Sequence, residues 1–122
     1  MQKEDVLFQK GVDAFNNKKF YDAHEYWEEL WLDYKLEDAR FIQGLIQLSV
    51  SYFHYSNRNL KGARSMVMKC WTKFDEYEKT VRGIDVKLLK TQIKTVINYY
   101  DNTFIKNDNK DIYIITLKVI HE

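Results

Sequence analysis

A stretch without a formal charge, Phe41–Ser56, lies in a chain in which 30% of the residues are charged. It is too short to cross a bilayer, which takes about 20 mostly apolar residues, and Gln43, Gln47 and His54 make it too polar. Read at the helical period it is apolar nearly all round, the mark of a helix with packed neighbours on several sides. Such a helix needs a shell of other elements. Proline is absent and glycine occurs four times, which suits long uninterrupted helices.

The shell can be read from apolar periodicity. A first helix is predicted over Glu4–Asn17, with Leu7, Phe8, Gly11, Ala14 and Phe15 on one face and a break at Asn16-Asn17-Lys18-Lys19. A second, over Tyr21–Tyr34, sets Ala23, Trp27, Leu30, Trp31 and Tyr34 in one arc, opposite Asp22, Glu25, Glu29 and Asp33. The third is Asp38–Ser56, and the fourth, Leu60–Lys79, packs through Ala63, Val67, Cys70, Phe74 and Tyr77. Gly83 closes that segment, and Asp85 is the expected N-cap of a fifth helix with a buried stripe of Leu89, Ile93, Val96 and Tyr100. After a turn at Asn107–Lys110, the tail Ile112–Ile120 alternates Tyr113, Ile115, Leu117 and Val119 on one side. A lone strand cannot satisfy its backbone, so the tail needs a partner strand or is a short helix. The expected fold is all-α, a compact antiparallel bundle of about five helices with two αα-hairpins, forming one domain over residues 1–122. Gly11, Ala23, Trp27 and Leu30, with Ala63 and Val67, are spaced loosely as in tetratricopeptide hairpins. Two hairpins are fewer than the roughly three repeats a solenoid needs, so ordinary close packing is the reading.

Composition bounds function mainly by exclusion. The net charge is +1, from 19 basic and 18 acidic residues, so no overall field favours nucleic acid or a membrane. Lys61, Arg64, Lys69 and Lys73 spread around the fourth helix instead of forming one basic stripe. Cys70 is the single cysteine, which leaves no internal disulfide and fits a reducing compartment. Met1–Asp5 leads directly into an amphipathic helix without a signal-peptide pattern. An intracellular soluble protein is expected, cytoplasmic or in a plastid stroma.

One constellation stands out. On the second helix His24 and Glu28 lie one turn apart, with Cβ atoms about 6 Å from each other, while Glu25 points about 100° away. On the third, Arg40, Gln43, Gln47, Ser51 and His54 share a stripe roughly 80° wide. A solvent strip normally carries Lys and Glu; a mostly neutral one points to a semi-buried groove. His24, Glu28, Gln43, Gln47 and His54 are therefore the candidate groove, with Glu25, Trp31 and Ser51 in support. Three chemistries fit. His24, Glu28 and His54 form a His₂Glu set for a divalent metal, as in a small metal-dependent hydrolase. Glu28 orients His24 as a general base on a substrate held by Gln47. Or the groove binds a small polar ligand or a protein partner without chemistry. Tyr21 and Leu32, apolar residues on the polar side of the second helix, and the unpartnered tail also suggest a two-fold homodimer.

Phe15-Asn16, Phe20, Ala23-His24-Glu25, Glu28 and Trp31, followed by Phe41, Gln43-Gly44-Leu45-Ile46-Gln47, His54, Asn59 and Gly62-Ala63, resemble the small helical family catalogued as domain of unknown function 309. The resemblance covers about residues 8–74, leaving about 85–122 as an extension. It implies a compact all-α fold found in bacteria, archaea and plastids, and no established activity. Two features depart from the family pattern: Arg58-Asn59 where Gly-Asn is frequent, and Ser49 and Ser51 where small apolar residues are usual.

Overall fold

The computed structural model describes residues 2–106 and 111–121. Five helices follow one another: α1 (Lys3–Asn16), α2 (Phe20–Asp33), α3 (Ala39–Ser56), α4 (Leu60–Phe74) and α5 (Val86–Lys106). Each packs chiefly on its neighbour in the chain, α1 on α2, α2 on α3, α3 on α4 and α4 on α5. The result is an all-α bundle. No helix among the described residues is long and apolar enough to cross a membrane.

The two hairpins turn in the same way. Lys18 and Arg58 both adopt φ 61°, and the next residue closes the helix end: Lys19 N–H donates to Ala14 C=O and Asn59 N–H to His54 C=O, each at 2.8 Å. These are Schellman closures, in which a left-handed residue satisfies the last carbonyls. At Arg58 the conformation is one that glycine adopts freely and arginine at some cost. Asn59 then caps α4, its side-chain oxygen accepting from Gly62 N–H at 2.9 Å. The offset relating Lys18 to Arg58 also relates Ala23 to Ala63 and Trp27 to Val67, all four fully buried in the core. A specific close approach fixes the first hairpin. The indole N–H of Trp27 crosses α1 at Gly11 to donate to Phe8 C=O at 3.1 Å, and a Cβ on Gly11 would lie 2.1 Å from the indole nitrogen.

Two expectations need correction. The fourth helix stops at Phe74, short of Lys79. Glu76 N–H and Tyr77 N–H bond back three residues, to Lys73 and Phe74, which tightens and ends the last turn. The Tyr77 ring then lies edge-on to Phe41, at 5.5 Å between centroids. Beyond it, Val81 and Ile84 exchange backbone hydrogen bonds around Arg82 (φ 49°) and Gly83 (φ 79°), as a type I′ turn requires. Arg82 ties three segments together. It meets Asp38 at 2.6 Å and Glu4 at 2.9 Å and lies over the Phe8 ring.

The tail is neither a strand in a sheet nor a helix. It is extended, makes one isolated bridge from Val119 to Ile84, and otherwise finds side chains in place of a neighbouring strand. Asn16 accepts from Leu117 N–H and donates to Leu117 C=O, both at 2.8 Å. The Tyr52 hydroxyl donates to Tyr113 C=O at 2.9 Å and accepts from Ile115 N–H at 3.0 Å. Ile115 and Leu117 are buried. The tail thus has backbone partners within its own chain, which removes one premise of the expected dimer. The turn expected at Asn107–Lys110 lies outside the described residues.

Candidate functional site

Two clefts lie between the second and third helices. In α2 the side chains of Trp31, His24, Glu28, Tyr21 and Leu32 follow one another around the helix from the core edge outward. In α3 Gln43, Ile46, Gln47, Val50, Phe53 and His54 face them. One cleft, ≈ 190 Å³, is lined by Tyr21, His24, Val50, Phe53 and His54. The other, ≈ 250 Å³, is lined by Glu28, Trp31, Leu32, Gln43, Ile46 and Gln47.

The expected residues distribute over these two clefts; they do not converge on one point. His24 Nε2 lies 2.7 Å from a Glu28 carboxylate oxygen, with the two side chains 24% and 47% exposed. This pair stands between the clefts, one partner lining each. His54 shares the first cleft with His24, and its Nδ1 faces the Asn59 amide at 3.4 Å. Gln43 and Gln47 share the second with Glu28. Gln47 is nine-tenths buried, and its side-chain oxygen is fully covered without a hydrogen-bond partner. A neutral carbonyl left so costs about 1–3 kcal/mol.

Two members of the expected stripe lie elsewhere. Ser51 is fully buried on the other flank of α3: its hydroxyl donates to Ala63 C=O at 2.7 Å and meets the Tyr100 hydroxyl at 3.1 Å. Arg40 is held by both carboxylate oxygens of Glu76 at 2.7 Å, and that guanidinium draws the Glu76 carboxyl below its ordinary pKa. The stripe straddles a boundary. At about 100° per residue Ser51 sits only about 40° around from Gln47, yet that rotation takes it from the α2 side to the α4 side. Trp31 was expected in the core arc but is 39% exposed. It lies about 40° from Trp27, past the edge of what α1 and α3 cover. Among the described residues, no group of three or more His, Cys, Asp or Glu side chains is placed to hold a metal ion, so the His24, Glu28 and His54 set is not assembled.

Sequence reasoning missed the apolar half of the groove, Ile46, Val50 and Phe53. Their signal was present in the apolar girdle of the uncharged stretch, but nothing local says which part of a girdle stays uncovered. Beside the groove Tyr21 and Leu32 are 51% and 64% exposed. The Tyr21 ring stacks obliquely near His24 and Phe53, 5.5 and 5.4 Å away.

Around α2 the charge is of one sign. Asp22, Glu25, Glu28, Glu29 and Asp33 share the helix with no lysine or arginine. They line a broad concavity along its outer face with Tyr21, His24 and Leu32, residues that this concavity shares with the two clefts. Hydrogen bonding to Glu25 raises the pKa of Tyr21. Asp33 stands at the helix's negative end, where a carboxylate is unfavourable.

No curated protein matches the sequence. The family model "Domain of unknown function (DUF309)" matches residues 8–66, from α1 into α4 and across the whole groove, and over that span the chain resembles this family.

Proposed function

We propose that the groove between α2 and α3 is a binding site for a protein segment or a small polar ligand and that it performs no covalent chemistry. The observation that carries this reading is the Gln47 amide. Its oxygen is covered and unpaired in a cleft that it lines with Trp31, Leu32, Ile46, Gln43 and the Glu28 carboxylate. The last torsion of a glutamine is soft, so the amide can turn to meet a donor entering the cleft and recover what its burial costs. Exposed Trp31, Leu32 and Tyr21 add apolar area of the kind that anchors partners.

The His24–Glu28 contact is the one feature that favours acid–base catalysis. Neither the serine nor the cysteine that could serve such a base as a nucleophile lines its cleft. The Ser51 hydroxyl is taken by Ala63 and Tyr100, and burial raises the Cys70 thiol far above its ordinary pKa.

A fragment screen observed by protein NMR tests the reading. Small amides and amines should shift the Gln43, Gln47 and Trp31 side-chain signals, and Gln47→Leu should abolish those shifts while the spectrum otherwise stays folded. Hits confined to other surfaces, or shifts that survive Gln47→Leu unchanged, would overturn it.

A further inference from the structure

We infer that the partner taken by this groove is an amphipathic helix from another protein, with an apolar face and basic flanks. The inference rests on the binding reading above and adds the chemistry of the occupant. The groove runs between two antiparallel helices and presents apolar side chains at successive turns of α3: Ile46, Val50 and Phe53. That periodicity fits the i, i+3/i+4, i+7 anchors of a helix laid into a groove. Trp31 and Leu32 stand at one end and Tyr21 at the other, all exposed.

Charge then selects the partner. Glu28 stands on the α2 rim of the groove, and Glu25, Glu29, Asp22 and Asp33 line the outer face that adjoins it. Among the described residues, Glu28 alone of these has a basic side chain within ion-pairing distance, and that is His24. Asp33, in the last turn of α2, is repelled by the helix dipole, and lysine or arginine on an incoming helix would relieve this. The Gln47 amide supplies a polar contact between the apolar anchors. A second copy meeting this face through its own α2 would set like charges against each other, which disfavours a two-fold pairing there. One copy-to-copy option is α5, where exposed Leu88 shares the helix with Lys87 and Lys94; it is a distinct outcome of the test.

Three helical peptides sharing one leucine face and carrying Lys, Gln or Glu on the flanks provide the probes, titrated into the whole protein and followed at the Trp31 indole N–H and the Gln47 amide. The Lys peptide should bind about tenfold more tightly than the Gln peptide, the worth of two or three ion pairs with the α2 carboxylates, and the Glu peptide should not bind. The preference should shrink as salt is added and reverse in the double variant Glu25→Lys with Glu29→Lys. Equal binding of the Lys and Gln peptides would overturn the basic partner and leave the groove reading intact. Failure of all three, with fragments still binding at Gln47, would overturn the helical partner alone. Binding that shifts only the outer face of α2 and not Gln47 would overturn both readings. Self-association that blocks the Lys peptide and is lost on Lys87→Glu with Lys94→Glu would assign the groove to a second copy and overturn the foreign partner.

Discussion

Replacing Asn16 by alanine removes both hydrogen bonds that hold Leu117, 2.8 Å each. Such bonds are worth about 0.5–1 kcal/mol net apiece at a partly exposed site, so the tail should lose about 1–2 kcal/mol of docking energy. Alanine's better helix propensity returns up to about 0.5 kcal/mol to α1, so the global change is smaller than the local one. Native-state hydrogen exchange separates the two. In Asn16→Ala the Ile115 and Leu117 amides should exchange about 5–30-fold faster, from the docking loss divided by RT. Core amides of α3 should change far less. Asn16→Asp keeps the acceptor for Leu117 N–H and loses the donor, and should fall between. Leu117 exchange at the wild-type rate, or an equal acceleration at every amide, would refute the idea that one amide side chain substitutes for a neighbouring strand.

Gly11→Ala should cost about 3 kcal/mol in urea unfolding, because the new methyl overlaps a fully buried indole and its bond to Phe8. Stability should fall at high pH. Burial raises the pKa of Tyr52, Tyr100 and Cys70 above ordinary values of 10.0, 10.0 and 9.0, so the unfolded chain releases these protons first. The unfolding free energy should be level below about pH 8.5 and then decline, each group contributing up to about 1.4 kcal/mol per pH unit; a level profile to pH 11 would contradict this. Cys70 should react with a thiol reagent at pH 8 only at the rate of global unfolding, checked by comparing labelling in 0 and 2 M urea.

The helices were legible because each carries its buried face at a regular period, as in Leu89, Ile93, Val96 and Tyr100, all buried in α5. Caps were legible too: Asp85 accepts from Leu88 N–H at 3.1 Å. What periodicity could not supply is which neighbour covers each flank. Ser51 and Gln47 differ by one turn, yet one meets α4 and the other the open groove. The tail was illegible for a different reason. Its partners are side chains at Asn16 and Tyr52, far away in the chain, and no rule of strand pairing reaches them. The His24–Glu28 pair followed directly from i, i+4 spacing, whereas the unpaired state of Gln47 depends on the whole packing of α2 against α3.

The most direct test of the binding account needs no ligand. The unfolding free energy of Gln47→Leu, measured by urea titration of the free protein, reports whether the buried amide serves the fold. If it serves a partner, removing an unpaired carbonyl should leave stability unchanged or raise it by about 1 kcal/mol. A loss of about 2 kcal/mol or more would show that Gln47 is part of an obligatory internal network and would contradict the central claim.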